Sequence, residues 1–332
     1  MTARLPRITL VSTGGTISAV GRDRLDLSRY GDTNRHRELC ALLDEIPELA
    51  AVAEIHPEVR PALPSHGMGL ADLLDLGRLV RRLTGEPNIA GVVVTYGTNT
   101  LEETAFFMDL VCPPGKPVVV TGAMRPASGL SADGPLNLLN AVRLAASPGA
   151  RGRGVLVLLD DTIHAARDAT KAATNRVAAF RGGEVGPLGF VESDGTVVFH
   201  HRLERWPAQG AFDPSSLTGL PRVDVVVSYL GADGAMVEAS VRAGAAGIVS
   251  AGTGAGYPTP AERAALERAA EAGVVVCQAS RVAAGRVTPR PEAVPHGFVT
   301  CGNLNPWKTR LLLALALTHS RDPARIQPLF DR

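Results

Sequence analysis

The sequence predicts a two-domain α/β protein whose larger, N-terminal domain has a doubly wound, mostly parallel sheet. Through the first part of the chain, short apolar runs rich in valine alternate with segments of helical spacing, the usual pattern of a parallel sheet covered by helices. The alternation loosens at a proline-containing stretch and then resumes. The 332 residues are enough for two hydrophobic cores. We expect an N-terminal α/β domain over residues 1–205, a linker over 206–222 and a smaller C-terminal α/β domain over 223–332.

The elements of the first domain follow from this alternation in chain order. Continuous apolar runs that end at glycine or polar residues predict buried strands at 8–11, 92–95, 117–121 and 155–159, with a further strand at 50–59. Apolar residues spaced three and four apart predict helices at 37–49, 70–83, 102–110 and 135–146. The charged segment 21–32 has no clean period, which predicts a mobile loop beside the end of the first strand.

The second domain has the same organisation on a smaller scale. Its apolar runs predict strands at 223–228, 247–251 and 274–278, and its helical spacing predicts helices at 235–243, 259–272 and 308–317. Pro258 precedes the middle helix, so Thr259 is its expected N-cap.

Composition and charge exclude several classes of partner. The net charge is +1 and the two signs are mixed along the chain, so neither nucleic acid nor anionic membrane is an expected partner. No apolar run approaches the roughly 20 residues of a membrane span, and the first residues lack the apolar core of a signal peptide, so we expect a cytoplasmic protein. The four cysteines are isolated and the histidines show no ligand spacing, so no metal site and no disulfide framework are expected.

Two polar turns follow strands of the first domain at the point where each strand ends. One is the Thr-Gly-Gly-Thr turn that ends at Thr16, and the other contains Thr98 and Asn99. Open α/β sheets bind ligands outside the carboxyl ends of their strands. A single threonine or asparagine before a helix is usually an N-cap, but two such turns favour a binding site.

The residues near these turns suit acyl transfer. A hydroxyl acts as a nucleophile when a neighbouring group takes its proton, and a lysine does this when burial lowers its pKa. Lys171 follows a third strand of the same domain, although an isolated lysine is more often a solvated surface charge. Backbone amides of the turn containing Gly14 and Gly15 can hold an oxyanion, or the two glycines can simply permit close packing. The glycine-rich turn 252–256 does not match a dinucleotide-binding motif, so a nucleotide cofactor is not expected.

Six blocks of the sequence together resemble one known family. They are ITLVSTGGTIS, VVVTYGTNTLEETAFFMDL, VVVTGAMRPASGLSADGPLNLLNAV, VLVLLDDTIHAARDATKAAT, GIVSAGTGAG and GFVTCGNLNPWKTRLLLALALT. In this order they run through nearly the whole chain and are similar to bacterial-type L-asparaginases and glutaminases, which are amidohydrolases. The resemblance implies hydrolysis of L-asparagine, or of a related small amide, through an acyl-enzyme without a cofactor. It also implies two α/β domains, and a homotetramer (a dimer of dimers) or a homodimer with sites at subunit interfaces.

The resemblance assigns catalytic roles to four residues. The family's nucleophile is the second threonine of its first turn, which falls on Thr16, and the assisting tyrosine of the following loop falls on Tyr30. The second catalytic cluster of the family falls on Thr98 and Lys171. The bond-breaking groups Thr16, Thr98 and Lys171 therefore match the family's motifs, and Tyr30 is the only tyrosine in the matching loop.

The substrate-binding positions depart from the family. The serine-glutamine pair that binds the amino-acid end of the substrate falls on Ser65 and His66, and a glutamate donated by a neighbouring subunit falls on Glu292. The family's aspartate beside the second threonine is Asn99 here, and an asparagine supplied by the neighbouring subunit is Ala255.

The change from a carboxylate to the amide of Asn99 leads to two hypotheses of equal standing. The resemblance implies that the family's aspartate helps to hold the α-ammonium of the substrate. Its replacement by an amide loses a charge-assisted hydrogen bond worth about 1.5–3 kcal/mol, roughly one to two decades in binding. The substrate is then an amide without a free α-ammonium, such as a capped amino-acid amide or a cyclic imide. Alternatively the protein is a catalytically weak asparaginase, or a non-catalytic one that binds an amino-acid derivative. The missing carboxylate should also let Lys171 lose its proton more readily.

Overall fold

A computed structural model describes residues 4–331 of the chain. The chain divides into two compact units, Met1–Glu204 and Arg205–Arg332. Each unit contains a sheet with helices packed against it, and the larger sheet belongs to the first unit. The predicted two-domain α/β fold class is therefore confirmed. The linker at 206–222 stays a prediction.

The described part of the first unit, from residue 4 onward, contains ten strands in chain order. They are β1 (Arg7–Ser12), β2 (Glu54–Val59), β3 (Gly91–Thr95), β4 (Val118–Thr121), β5 (Val155–Leu159), β6 (Thr162–Ala165), β7 (Thr170–Lys171), β8 (Phe180–Arg181), β9 (Gly189–Val191) and β10 (Val197–Phe199). Strands β2, β1, β3, β4 and β5 are parallel neighbours in that order, and β6, β9 and β10 extend the sheet with antiparallel pairings. The short strands β7 and β8 form a separate antiparallel pair.

The helices of the first unit pack their apolar side chains against this sheet. They are α1 (Leu39–Asp44), α2 (Leu49–Val52), α3 (Leu70–Gly85), α4 (Leu101–Val111) and α5 (Gly134–Ala146), with short 3-10 helices at Tyr30–Thr33, Ser65–Gly67 and Pro148–Ala150. The buried valines of β3 and β4 and the buried leucines of α5 are part of the hydrophobic core. Burial of both sheet faces explains why β3 and β4 are runs of apolar residues without alternation.

The predicted helix at 37–49 and strand at 50–59 are wrong in their boundaries. Helix α1 ends at Asp44, a new helical turn covers Leu49–Val52, and β2 begins only at Glu54. Pro47 has no backbone N–H and disfavours helical geometry at the residue before it, so it separates the two helices. The chain that leads into α2 starts to turn at Pro47, whose carbonyl oxygen accepts from the backbone amide of Ala50.

The antiparallel extension of the first sheet begins at a hairpin that the sequence patterns did not predict. Strand β6 returns directly along β5, and Asp160 and Asp161 are the two loop residues between the paired ends. Their φ angles are +51° and +58°, and the commonest two-residue hairpin turn needs a positive φ at both positions. Aspartate tolerates this conformation better than most residues. The side chain of Asn140 on α5 supports the turn by donating to Asp161 Oδ1 at 2.8 Å.

The second unit is a four-stranded parallel sheet with helices. Its strands are β11 (Val223–Val227), β12 (Gly247–Gly252), β13 (Val275–Ser280) and β14 (Val299–Thr300), in that spatial order, and its helices are α6 (Ala235–Arg242), α7 (Pro260–Glu271), α8 (Pro306–Ala316) and α9 (Pro323–Phe330). The N-cap of α7 is Thr259, as predicted, and it forms a capping box with Glu262. Within residues 4–331, no helix has both the length and the apolar character needed to cross a membrane.

The strand order of the first sheet determines where a ligand can bind. From β1 the chain moves to β2 on one side, and it then crosses to β3 on the other side. Helices therefore diverge from the carboxyl ends of β1 and β3 and leave a crevice there. The two polar turns predicted as a binding site begin at these two strand ends.

Candidate active site

The two polar turns are in direct contact. The backbone amide and the hydroxyl of Thr13 both donate to the carbonyl oxygen of Thr95, at 3.3 and 2.9 Å. Gly15 has a φ of +89°, and a Cβ atom built on it would lie 2.7 Å from the backbone nitrogen of Gly97. Only glycine permits both this backbone conformation and this close approach. The turn after β1 is thus held against the turn after β3.

The first turn presents a pair of hydroxyl groups. Thr16 Oγ1 lies 3.0 Å from the phenolic oxygen of Tyr30, and both residues are half-buried. Tyr30 is the first residue of a 3-10 helix, and the hydroxyl of Thr33 in that helix donates to the carbonyl oxygen of Val20 at 2.6 Å. The loop that carries Tyr30 is therefore anchored to the segment that follows Thr16.

The second turn presents a hydroxyl–amine pair. Lys171 Nζ donates to Thr98 Oγ1 at 3.0 Å. Thr98 is buried and Lys171 is half-buried. Burial lowers the pKa of Lys171, and the nearby carboxylate of Glu102 opposes that shift. A lysine with a lowered pKa is more often neutral, and a neutral amine can take the proton of the hydroxyl to which it is bonded.

Glu102 is a site residue that the sequence patterns did not identify. Its Oε2 atom accepts from the hydroxyl of Thr170 at 2.6 Å and from the backbone amide of Lys171 at 2.5 Å. In the sequence, an acidic residue in the first turn of a helix indicates only a favourable interaction with the helix dipole. The burial of Glu102, at 6% exposure, is the sign that it has a different role.

Of the predicted substrate-binding residues of the first unit, Ser65 contacts the second turn and Asn99 belongs to it. Ser65 is buried, its carbonyl oxygen accepts from Thr100 Oγ1 at 2.8 Å, and its Oγ would lie 2.6 Å from a Cβ atom on Gly97. Its neighbour His66 is exposed, and so is Asn99 at the tip of the turn. The structure thus brings Ser65 to the turn that contains Thr98 and Asn99, and His66 follows Ser65 in the chain.

Glu292 belongs to the second unit. It is exposed and forms an ion pair with Arg263 on α7, with 3.3 Å between Nη2 and Oε1. Ala255 is also exposed, and its carbonyl oxygen accepts from Arg290 at 2.6 Å. The assignment of Glu292 to the site of a neighbouring subunit stays a prediction. Among the described residues, no group of three or more histidine, cysteine or acidic side chains is arranged to hold a metal ion.

Two family models and several known proteins match this chain. The family model described as "Asparaginase, N-terminal" matches residues 7–205, and the one described as "Glutaminase/Asparaginase C-terminal domain" matches residues 222–330. L-asparaginase 2 of Bacillus subtilis is 37% identical over 328 residues, which cover 98% of this chain and 86% of that protein. L-asparaginase 2 of Escherichia coli is 38% identical over 334 residues, which cover 99% of this chain and 93% of that protein.

A solved structure extends the similarity to three dimensions. The crystal structure of the probable cytoplasmic L-asparaginase from Campylobacter jejuni matches with a TM-score of 0.92 at 36% identity, covering 98% of this chain and 99% of that one. Family models, sequence relatives and a solved structure therefore agree over nearly the full length of both units. The chain belongs to the asparaginase/glutaminase family.

Proposed function

We propose that this chain is an amidohydrolase that hydrolyses L-asparagine or a closely related small amide and releases ammonia. The observation that carries the proposal is the pairing of two threonine hydroxyls with separate partners at the β1–β3 crevice. Thr16 lies 3.0 Å from the Tyr30 hydroxyl, and Thr98 lies 3.0 Å from the amine of Lys171. Similarity to relatives that are named L-asparaginases supports the same reaction class.

The proposed reaction proceeds through an acyl-enzyme. Thr16 Oγ1 attacks the amide carbonyl carbon, and its proton passes by way of the Tyr30 hydroxyl to the departing nitrogen. The C–N bond breaks, ammonia leaves, and an ester with Thr16 remains. Water then attacks the ester carbon while Lys171, acting through Thr98, takes a proton from it. Cleavage of the ester releases the acid, and the Tyr30 hydroxyl gives a proton to the departing Thr16 oxygen. The proton held by Lys171 then returns to Tyr30 by way of solvent, so that both hydroxyls and the neutral amine are restored.

Asn99 supports a narrower proposal about the substrate. It is exposed at the tip of the turn that the buried Ser65 contacts through Gly97 and Thr100. A neutral amide binds an ammonium group less strongly than a carboxylate does, because the hydrogen bond loses its charge assistance. We infer that the preferred substrate is an amide without a free α-ammonium, such as N-acetyl-L-asparagine, and that L-asparagine is turned over more slowly.

Ammonia release is the direct test of the activity. Purified protein is assayed with L-asparagine, L-glutamine and N-acetyl-L-asparagine, alongside Thr16→Ala and Thr16→Ser. We expect Thr16→Ala to abolish release and Thr16→Ser to retain part of it, because serine keeps the hydroxyl. Release at the parent rate by Thr16→Ala would show that Thr16 is not the nucleophile. No release from any small amide by the parent would refute the function itself.

The Asn99→Asp variant tests the substrate proposal. A carboxylate at this position should raise kcat/KM for L-asparagine by about 10- to 100-fold, corresponding to about 1.5–3 kcal/mol from a charge-assisted hydrogen bond. It should give no gain with N-acetyl-L-asparagine. The matched control is Asn88→Asp, because Asn88 is exposed and precedes the opposite end of β3. Parent activity on L-asparagine that exceeds activity on the capped amide would contradict the proposal.

We propose further that the protein is a homotetramer, a dimer of dimers, in which Glu292 completes the site of a neighbouring subunit. The exposed position of Glu292 is compatible with this role. Light scattering after size-exclusion chromatography measures the assembly, and a homodimer is the alternative. Glu292→Ala should raise KM more than it lowers kcat, because the residue would bind substrate without acting on the amide bond. A cytoplasmic location stays a prediction, and the similarity to the probable cytoplasmic L-asparaginase of Campylobacter jejuni supports it.

A further inference from the structure

The strand that carries Lys171 is not part of the main sheet. β7 has two residues and pairs with β8 instead of with the eight-stranded sheet that carries Thr98. No ladder of backbone hydrogen bonds therefore aligns Lys171 with Thr98. Because the separation of two reacting groups is critical, a displacement of about 1 Å can reduce a rate about 100-fold. Side-chain contacts between β7 and the turn after β3 must maintain the 3.0 Å distance.

Glu102 makes such contacts from α4, the helix that directly follows the turn containing Thr98. It lies four residues after Thr98, in the first turn of α4. Its Oε2 atom accepts from Thr170 Oγ1 at 2.6 Å and from the backbone amide of Lys171 at 2.5 Å. The carboxylate thus binds the backbone of β7, and the Lys171 side chain returns from there to Thr98.

We propose that Glu102 is a positioning residue for the reaction, which holds β7 against α4 so that the Lys171 amine remains on the Thr98 hydroxyl. This inference rests on the proposed amidohydrolase function for its catalytic consequence. Glu102 also has an electrostatic effect, since its negative charge favours the protonated amine. One carboxylate therefore both places the amine and limits how far burial lowers the pKa of Lys171.

The other charges near β7 act differently. Arg181 on β8 lies opposite Thr170 and is exposed, and Asp168 forms a buried ion pair with Arg167 before the strand begins. Of the charges around β7, that of Glu102 shifts the pKa of Lys171. Removal of this one charge while the acceptor oxygen is kept should therefore have a measurable effect on Lys171.

Glu102→Gln and Glu102→Ala separate the two effects. Glutamine keeps one oxygen that can accept from β7 but removes the charge, so the pKa of Lys171 should fall. Since the neutral amine is the active form, the acid-side limb of the kcat/KM–pH profile should move to lower pH. Alanine also removes the acceptor, so we expect kcat to fall by about 10- to 100-fold with little change in KM. The matched control is Glu103→Gln, which removes a charge in the same helical turn. It should leave kcat and the position of the acid-side limb at the parent values.

A measurement without turnover makes the test independent of the proposed function. The sequence has three lysines, Lys116, Lys171 and Lys308. Acetic anhydride acetylates neutral amines, and mass spectrometry of peptides gives the acetylation rate of Lys171 as a function of pH with Lys116 as an internal reference. We expect the Lys171 curve to move to lower pH in Glu102→Gln and to remain unchanged in Glu103→Gln.

Two results would overturn the proposal. The first is an acetylation curve for Lys171 in Glu102→Gln that coincides with the parent curve. The second is parent-like kcat in a folded Glu102→Ala. If the variants have a lower melting temperature but the kcat and the Lys171 acetylation curve stay at the parent values, Glu102 only stabilises the fold. If instead the parent released no ammonia, the function would be refuted, and the acetylation curves would still decide whether Glu102 controls Lys171.

Discussion

The contact between the two polar turns of the candidate site leads to a quantitative prediction for Gly15→Ala. The new Cβ atom would lie 2.7 Å from the backbone nitrogen of Gly97, whereas ordinary contacts begin at 3.4 Å. Because both sides are backbone, the turns must separate by about 0.7 Å, the difference between these two distances. The φ of +89° adds strain, about 1–2 kcal/mol for a residue with a Cβ atom. The displacement moves Thr16 relative to Thr98, so we expect kcat/KM to fall by about 100-fold.

The control for this prediction is Gly152→Ala. Gly152 has a φ of +72°, and a Cβ atom on it would meet nothing within 4 Å. It should therefore lose about 1–2 kcal/mol of unfolding free energy from backbone strain and keep its activity. Ammonia release and thermal unfolding are measured for both variants. Gly15→Ala with activity close to that of Gly152→Ala would refute the reasoning, because contact between the turns would then not control the site.

Two further predictions concern burial and helix capping. Burial raises the pKa of the Cys112 thiol to about 12 and also raises that of Cys277, whereas Cys40 is exposed. At neutral pH a disulfide-exchange reagent should therefore modify Cys40 alone in the native chain and all four cysteines after denaturation. Rapid modification of Cys112 in the native chain would contradict this prediction. Thr259→Ala should lower the unfolding free energy of the second unit by about 1 kcal/mol through loss of the N-cap, and Thr259→Ser should keep most of it; equal losses in both variants would contradict the capping role.

Local patterns account for the parts of the fold that could be predicted from the sequence. All five residues of β3 are buried, and a strand buried on both faces must be apolar throughout, so its sequence identifies it without tertiary information. The errors occur where a few residues override a broader pattern. Pro47 divides a segment that was predicted as one helix, and the positive φ angles of Asp160 and Asp161 produce a hairpin directly after the predicted strand at 155–159.

The candidate site shows the same division between local and distant information. The turns containing Thr16 and Thr98 could be predicted because each follows a buried strand, where open α/β sheets bind ligands. Lys171 was a candidate proton acceptor because it follows a third strand, but its pairing with Thr98, like the role expected for Tyr30, came from the family resemblance, since no local spacing connects these residues to the threonines. Glu102 was missed because its position in the first turn of α4 is fully explained by helix electrostatics.

By itself, the sequence determined the α/β architecture and the chemical groups available at the strand ends, because β-branched runs, glycine turns and helix caps act over a few residues. Only the tertiary structure decided which of these groups meet. The Thr98–Lys171 contact joins positions 73 residues apart, and the Glu102–Lys171 contact joins positions 69 residues apart. The burial that lowers the pKa of Lys171 exists only after these segments have packed together. The proton acceptor of the proposed reaction is therefore a property of the folded chain.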